Sequence, residues 1–227
     1  MSAKISIVVP TLDEEARITA TLARLREPEI REVIVADGGS TDGTREIAAG
    51  VADRVIASAR GRAAQMNAGA AVAQGEVLLF VHADTDMPAG FGAAIARAMR
   101  APGVVGGCFD VALDDSRLAY RLIGTMISLR SRWTRLFTGD QAIFVRRDVF
   151  DRLGGYPEQP LMEDLALSIA MRRAGEIASL RVRVTTSARR WREHGVIRTV
   201  LLMWTLRGLY AAGVSPRILA RYYTAVR

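Results

Sequence analysis

Residues 77–86 read Val-Leu-Leu-Phe-Val-His-Ala-Asp-Thr-Asp, an unbroken apolar run that ends in polar side chains. Such a run is typical of a strand buried on both faces of a parallel sheet. The possible metal ligands His82, Asp84 and Asp86 therefore follow a predicted strand over 76–82. Ligands of open α/β sheets bind at this carboxyl end of the strands. A turn held only by Asp side chains would explain the acids but not the buried run before them.

Strands and helices alternate on both sides of this stretch. The apolar spacing predicts strands over 4–10, 32–36 and 53–57 and helices over 13–26, 42–50, 61–73 and 88–99. This alternation indicates right-handed βαβ units and an α/β fold with a mainly parallel central sheet. For the second half the sequence predicts an extended segment 103–110, a helix 116–134, a strand 141–146, a helix 163–174 and closing helices 189–212 and 215–226.

Composition limits the class of protein. Of 227 residues, 50% are apolar and 24% are charged, which supports a folded core and excludes a disordered chain. No repeat or linker divides the sequence, so we predict a single domain over 1–227. The single cysteine, Cys108, excludes a disulfide framework and a cysteine zinc site. The first apolar run is too short for a signal peptide, and Arg198 and Arg207 interrupt the last one. We therefore expect no export, no membrane span and a cytoplasmic location.

The net charge of +7 is unevenly distributed. Residues 1–116 carry 11 basic and 16 acidic side chains, whereas 117–227 carry 20 basic and 8 acidic ones. All but one of the basic residues are Arg, which binds phosphate oxygens well. Because neither zinc-finger spacing nor an RNA-binding aromatic strand motif accompanies this charge, we expect no nucleic-acid partner.

Acidic residues also follow the other predicted strands. The first strand leads into Pro10-Thr11-Leu12-Asp13-Glu14-Glu15, where a dinucleotide-binding unit would have G-x-G-x-x-G. Asp37 ends the second strand, and Arg60 and Arg62 lie at the start of helix 61–73, a position that suits a phosphate. Helix caps, an Asx turn and a solvated arginine pair are the structural alternatives for these three groups.

Two further groups lie in the second half. Glu163 and Asp164 open the predicted helix 163–174, where the helix dipole alone would favour acids. Arg189-Arg190-Trp191-Arg192 offers guanidinium groups that would close over a diphosphate, although a solvated helix start explains the same residues.

The order of these pieces resembles the family 2 glycosyltransferases of the GT-A fold. The strings that match are S-I-V-V-P-T-L-D-E-E at 6–15, V-I-V-A-D-G-G-S-T-D-G-T at 33–44, G-R-A-A-Q-M-N at 61–67, H-A-D at 82–84, E-D at 163–164 and R-R-W at 189–191. Asp13 and His82 depart from the pattern, because the family usually has Asn and Asp there.

The resemblance implies a transferase that uses a UDP-sugar and a divalent cation, Mg²⁺ or Mn²⁺. It implies a nucleotide-sugar half over 1–100, an acceptor-side half over 101–188 and C-terminal helices over 189–227. The metal ligand would be Asp84, with Asp86 or His82 as further candidates, and the catalytic carboxylate would be Asp164, with Glu163 as its neighbour. The implied donor contacts are Pro10, Leu12, Glu14, Asp37, Arg60, Arg62, Gln65, Arg189, Arg190 and Trp191.

The acceptor is the open question. H-A-D-T at 82–85 and G-D-Q-A at 139–142 resemble a short subgroup of the family associated with arsenosugar and selenosugar biosynthesis. That resemblance implies transfer of a hexose, such as that of UDP-GlcNAc, to selenophosphate with formation of a C–Se bond. An anionic acceptor of this kind needs arginine partners, for which the candidates are Arg130, Arg132, Arg189 and Arg190.

Two alternatives remain open. One is a transferase that acts on an alcohol or a polyprenyl phosphate. The polyprenyl phosphate would require a membrane-associating face, and helix 118–130 would supply one through the following apolar and basic residues: Leu118, Leu122, Ile123, Met126 and Ile127, with Arg121 and Arg130. We expect that face to be buried in the core or in a homodimer instead, because apolar residues at this spacing usually are. A non-catalytic nucleotide-binding protein is the alternative of another class, and it would not need Asp84, Glu163 or Asp164.

Overall fold

The computed structural model describes residues 3–225, and the strands of this part form one mixed sheet. They are β1 (Ile5–Thr11), β2 (Ile30–Asp37), β3 (Arg54–Ala57), β4 (Val77–Phe80), β5 (Thr85–Asp86), β6 (Val104–Leu113), β7 (Ile143–Arg146) and β8 (Glu176–Thr186). Their order is β3-β2-β1-β4-β7-β6-β8-β5. Strands β3, β2, β1 and β4 are parallel, as are β6 and β8. Strand β7 is antiparallel to both of its neighbours, and β5 is antiparallel to β8.

Helices cover both faces of the sheet. They are α1 (Glu15–Ala23), α2 (Thr44–Ala49), α3 (Arg62–Val72), α4 (Phe91–Ala98), α5 (Leu118–Thr134), α6 (Arg147–Leu153), α7 (Glu163–Ala174), α8 (Arg189–His194), α9 (Val196–Ala211) and α10 (Pro216–Ala225). Strand β1 shows why both faces are covered. Ile7 and Val9 belong to one buried cluster and Val8 to another on the opposite face, because successive side chains of a strand alternate. The predicted α/β class is confirmed.

The main element that the sequence analysis missed is β8. Its side chains alternate between apolar and basic along Leu180-Arg181-Val182-Arg183-Val184, and it pairs with β6 over nearly its whole length. This is the period-two pattern of a strand with one solvated face. The short elements β5 and α6 were missed as well.

The predicted helix 189–212 is two helices. Gly195 separates α8 from α9 and has a φ of 79°, a left-handed conformation that breaks the helix and favours glycine. The last predicted helix, 215–226, corresponds to α10, and its residue 226 lies outside the described residues.

The expectation that the apolar face of α5 is buried in the core is wrong in part, and its burial in a homodimer stays a prediction. Ile123 is buried and Ile127 is half-buried, but Leu118, Leu122 and Met126 are 78%, 58% and 49% exposed. The helix buries a narrower face, on which Gly124 fits against the backbone of Val111 in β6. Within residues 3–225, none of the helices is long and apolar enough to cross a bilayer.

Candidate active site

The tips of β1, β2 and β4 meet at one edge of the sheet. Strand β1 lies between the other two, and Pro10 and Thr11 are in register with Ala36 and Asp37. Leu12, half-buried, and Glu14 follow directly in the loop to α1. The sequence-predicted donor residues of the first two strands are therefore brought together.

Asp37 is part of a hydrogen-bonded turn. Its buried carboxylate accepts hydrogen bonds from the backbone N–H groups of Gly39 and Ser40, both at 3.0 Å, and from the Ser40 hydroxyl. This is the Asx-turn arrangement that the sequence offered as the structural alternative. The turn gives the carboxylate a structural role, and a direct contact between Asp37 and the donor stays a prediction.

Gln65 connects the ends of β1 and β2. Its side-chain amide donates hydrogen bonds to the carbonyls of Thr11 at 2.6 Å and Ala36 at 3.0 Å. Both N–H groups of the amide are thus engaged in holding the two strand tips together. The structure makes Gln65 a positioning residue, and its predicted donor contact remains a prediction.

Glu14 and Asp84 lie close enough to repel each other. Burial and the Asp84 carboxylate raise the pKa of Glu14, while the guanidinium groups of Arg189, Arg17 and Arg62 oppose that rise. Arg62 is the first residue of α3 and is exposed, as is Arg60 before it. Two strand-tip carboxylates and several arginines therefore share one electrostatic neighbourhood.

The three candidate metal ligands do not converge. Asp86 lies in β5 opposite Thr185 and forms an ion pair with Arg24 at 2.8 Å. By contrast, no side chain or backbone donor among residues 3–225 bonds to the Asp84 carboxylate. No group of three His, Cys, Asp or Glu side chains in this part of the chain is arranged to hold a metal ion. A cation there would have to take its other ligands from substrate oxygens or water, as Mg²⁺ commonly does.

His82 lies against a tight turn of the second half. A Cβ atom added to Gly139 would approach the His82 ring to 2.6 Å, so any larger residue at this position would require the ring to move. Burial and the nearby Arg62 and Arg190 lower the pKa of His82 to about 3, against an opposing effect of Asp140. The imidazole is therefore neutral at physiological pH.

The same turn holds Asp164. The backbone N–H of Gly139 donates to Oδ2 of Asp164 at 2.8 Å, and the N–H of Leu165 donates to Oδ1 at 2.6 Å. Met162, at the N-cap of α7, has a φ of 66°, which directs the chain sharply into the helix. Gly139 thus contacts both His82 and Asp164, which connects the tip of β4 with the start of α7.

Glu163 and Asp164 form an acidic pair, in which Glu163 is buried and Asp164 is half-buried. Burial raises the pKa of both carboxyls, and each also responds to the guanidinium of Arg62. The buried hydroxyl of Tyr156 has no hydrogen-bond partner among the described residues, and its pKa is raised by burial and by the two acids. Sequence reasoning missed Tyr156 and the contact role of Gly139; for Gly139 the G-D-Q-A string was the available signal.

The basic candidates of the second half separate into different roles. Arg132 forms a two-point ion pair with the buried Asp110, so it is not available for a substrate anion. Arg130, two residues earlier, has a buried Nε without a partner in the described part and lies near Asp140 and Asp164. Its pKa is lowered by burial.

The segment Arg189–Trp191 opens α8. Arg189 lies near Glu14, and its positive charge partly offsets the rise in the pKa of Glu14. Arg190 stacks on the Tyr223 ring, with 5.0 Å from Cζ to the ring centroid. Trp191 packs against the small cluster that includes Tyr120 and Ile123. The structure thus brings Arg189 to the strand tips and gives Trp191 a packing role, and the donor contacts of all three stay predictions.

Comparison with known proteins agrees with this architecture. The model of the family described as "Glycosyl transferase family 2" matches residues 6–156. Succinoglycan biosynthesis protein ExoA of Rhizobium meliloti (strain 1021) is 53% identical over 45 residues, which cover 18% of this chain and 14% of that protein.

Two solved structures show the same fold. A mannosyltransferase from Pyrobaculum calidifontis, in complex with GDP-Man and Mn²⁺, has a TM-score of 0.63 and 21% identity over 82% of this chain and 57% of its own. Glucosyl-3-phosphoglycerate synthase from Mycobacterium tuberculosis, in complex with Mn²⁺, UDP and glucosyl-3-phosphoglycerate, has a TM-score of 0.60 and 21% identity over 80% of this chain and 70% of its own. The chain thus spans little more than half of the first of these structures and a small part of ExoA. The family match ends before Glu163, but it covers about two thirds of the chain, and the predicted GT-A fold is confirmed: this chain belongs to glycosyl transferase family 2.

Proposed function

We propose that this chain transfers a hexose from a UDP-sugar to a small anionic acceptor at the edge formed by β1, β2 and β4. The observation that carries the proposal is the position of Arg62. Its guanidinium acts on Glu14 at the strand tips and also on Glu163 and Asp164 at the start of α7. A diphosphate bound at Arg62 would therefore lie between a donor-binding edge and this acidic pair.

The reaction breaks the bond between C1 of the sugar and the diphosphate oxygen, and UDP leaves with the electron pair. Arg62 and Arg189 would stabilise the negative charge that develops on the leaving diphosphate. Asp84 suits a divalent cation, Mg²⁺ or Mn²⁺, because its carboxylate has no bonded donor among the described residues and lies near a second carboxylate, Glu14. Such a cation, when bound, would supply further charge neutralisation at the diphosphate.

The acceptor side is formed by Asp164 and Arg130. An alcohol acceptor loses a proton as its oxygen bonds to C1, and Asp164 would accept that proton. The N–H groups of Gly139 and Leu165 hold this carboxylate in a fixed orientation. An acceptor that is already an anion needs no such base, but it does need a cation, and the buried Nε of Arg130 is a free donor within the described part.

The narrower proposal is that the acceptor is selenophosphate, whose selenium bonds to C1 as UDP leaves. Water then cleaves the Se–P bond, which releases phosphate and leaves the selenosugar. Its support is the resemblance of H-A-D-T at 82–85 and G-D-Q-A at 139–142, together with the free donor of Arg130. The second string lies in the turn that contacts both His82 and Asp164.

A second candidate is transfer to an alcohol or to a polyprenyl phosphate. The exposed apolar residues of α5 favour the lipid-linked acceptor, because that helix also carries Arg130. A non-catalytic nucleotide-binding protein is disfavoured, since binding alone gives no reason to bury Glu163 beside Asp164.

The test is a product assay with the purified chain. A panel of UDP-sugars that begins with UDP-GlcNAc is incubated with Mn²⁺ and with selenophosphate, an alcohol, a polyprenyl phosphate or no acceptor, and UDP release and product mass are measured. We expect UDP release that depends on the acceptor and a product with the mass of a hexose joined to selenium. UDP release with an alcohol or a polyprenyl phosphate, and not with selenophosphate, would identify that compound as the acceptor class. The absence of UDP release with every combination of donor and acceptor would contradict the proposed transfer reaction.

A further inference from the structure

The apolar residues that remain exposed are confined to one group of helices. Every large hydrophobic side chain that is exposed in residues 3–225 lies on α5, α9 or α10. Scattered exposed hydrophobics are normal on a protein surface, but a set confined to a few neighbouring helices indicates an interaction surface.

On α5 these residues form a stripe along the helix. Leu118, Leu122, Met126, Leu129 and Trp133 follow one another at intervals of three or four residues, so they share one side of the helix. Trp133 is 94% exposed, which is unusual for so large an aromatic side chain.

Helix α9 follows α5 along the same side of the molecule. Its first residue, Val196, packs on the cluster that contains Ile123 of α5. Its later residue Leu206 belongs to a cluster that also takes in Leu136, just past the end of α5. The exposed residues of α9, which include Ile197, Leu201 and Trp204, therefore extend the apolar surface of α5. We call the exposed parts of α5, α9 and α10 the apolar face.

The charges on the apolar face have one sign. The three helices carry neither Asp nor Glu, and their exposed charged residues are Arg121, Arg198, Arg217 and Arg221. An open cleft of about 360 Å³ adjoins the stripe and is lined by Leu118 and Leu122 together with Arg121 and Arg183. Neither of these two arginines forms an ion pair within the described part of the chain. The face thus combines apolar and aromatic side chains with cations that lack partner acids.

We propose that the apolar face docks on an anionic lipid bilayer surface. The face would lie in the interface, with Trp133 and Trp204 at the depth of the headgroups and with Arg121 and Arg183 on lipid phosphates. A second copy of this chain fits less well, because a two-fold dimer through this face would bring arginines together without any acid to compensate them. The contact is peripheral and needs no spanning helix.

The proposal goes beyond the transferase activity and is tested without it. The purified chain is mixed with vesicles of phosphatidylcholine plus phosphatidylglycerol, or of phosphatidylcholine alone, and binding is measured by flotation. Brominated lipids report the depth of Trp133 and Trp204 through quenching of their fluorescence. We expect binding to the anionic vesicles, weaker binding at high salt, and quenching on binding.

Three double variants identify the contact. Leu122→Gln with Leu129→Gln removes apolar surface, and Arg121→Gln with Arg183→Gln removes two charges. Arg97→Gln with Arg100→Gln removes the same charge from the region of α4, a helix that carries none of the exposed large hydrophobics. We expect the first two variants to lose binding, the charge variant by roughly 30-fold, and the α4 variant to bind like the parent.

These measurements distinguish a lipid bilayer from a second copy of the chain as the partner of the apolar face. All substituted side chains are exposed, and circular dichroism checks that the variants are folded. Failure of the parent chain to bind anionic vesicles at low salt would overturn the proposal, as would equal binding of all variants. Sedimentation as a dimer that the Leu122 and Leu129 changes dissociate would assign the face to a second copy instead.

Discussion

Arg130 and Arg132 lie two residues apart on α5 and have opposite surroundings. Arg132 neutralises the buried Asp110 through two hydrogen bonds, whereas the buried Nε of Arg130 has no partner in residues 3–225. Substitutions of the two arginines therefore form a matched pair, in which the Arg130 variant tests acceptor binding and the Arg132 variant tests stability.

We expect Arg130→Gln to raise KM for an anionic acceptor and to leave stability nearly unchanged, because it removes a cation that binds no other residue strongly. Steady-state kinetics with selenophosphate measure the effect on KM, and an increase of about tenfold is expected for one charge-assisted hydrogen bond. An unchanged KM would remove Arg130 from the acceptor site.

We expect Arg132→Gln to destabilise the protein instead, by about 3 kcal/mol, because Asp110 is left buried without its partner. Urea unfolding measures this loss. Equal stabilities of Arg132→Gln and Arg130→Gln would show that the Asp110 ion pair contributes little.

The acidic pair predicts a pH dependence. Burial and Asp164 raise the pKa of Glu163 from 4.5 to about 7, so the folded protein binds this proton more tightly than the unfolded chain does. The stability that this proton contributes is fully present below pH 4.5 and is lost as pH rises through about 7. We expect Glu163→Gln to flatten that part of the stability profile in urea unfolding, and an identical profile in parent and variant would contradict the burial argument.

Activity should change with pH in the opposite direction when the acceptor is an alcohol. Asp164 accepts a proton only in its ionised form, so the rate should rise as pH passes the pKa of the acidic pair. With selenophosphate as acceptor we expect a flatter profile and appreciable turnover in Asp164→Asn. Complete loss of turnover in Asp164→Asn, with donor binding intact, would contradict the anionic-acceptor mechanism.

At the scale of the elements, two glycines make contrasting predictions. A Cβ atom on Gly107 in β6 would lie 1.8 Å from the carbonyl oxygen of Ala178 in β8, whereas nothing lies within 4 Å of the Cβ position of Gly208 in α9. We expect Gly107→Ala to destabilise the sheet strongly and Gly208→Ala to stabilise α9 by about 0.5–1 kcal/mol. Thermal unfolding checks both, and destabilisation by Gly208→Ala would mean that α9 has contacts at that position.

Elements of the first half were predictable from the sequence, because β1 and β4 are buried apolar runs and α1 and α3 have helical spacing. Strand β8 was predictable too, because its apolar and basic side chains alternate with a period of two, and the sequence analysis overlooked that signal. The burial of α5 was misjudged for a different reason. Periodicity shows that a helix has an apolar side, but it does not show whether another part of the protein covers it.

The site was predictable to a similar extent. Sequence order places Glu14, Asp37 and Asp84 at strand tips, and the sheet brings those tips together. The contact between His82 and Gly139 depends on residues far apart in the chain, and so does the hydrogen bond from Gly139 to Asp164. No local pattern contains such contacts. The ion pairs that engage Asp86 and Arg132 were unpredictable for the same reason.

For the whole molecule, the uneven charge of the sequence has a structural counterpart. The acidic first half contributes the strand tips with Glu14 and Asp84, and the basic second half contributes Arg130, Arg189 and the arginines of the apolar face. Donor binding, acceptor binding and docking on a surface are thus proposed for different parts of one fold. The division into a donor half over 1–100 and an acceptor half over 101–188 stays a prediction, and the pairing of β4 with β7 joins the two in one sheet.

We propose above all that the edge containing Asp84 binds a nucleoside diphosphate together with a divalent cation. Calorimetric titration with UDP, in Mn²⁺ and in a chelator, tests it in the parent chain, in Asp84→Asn and in the matched control Asp86→Asn, whose carboxylate pairs with Arg24. We predict that Mn²⁺ strengthens UDP binding at least about tenfold in the parent and in Asp86→Asn, and not in Asp84→Asn. The same UDP affinity in all three proteins, with and without Mn²⁺, would show that Asp84 holds no cation for the diphosphate.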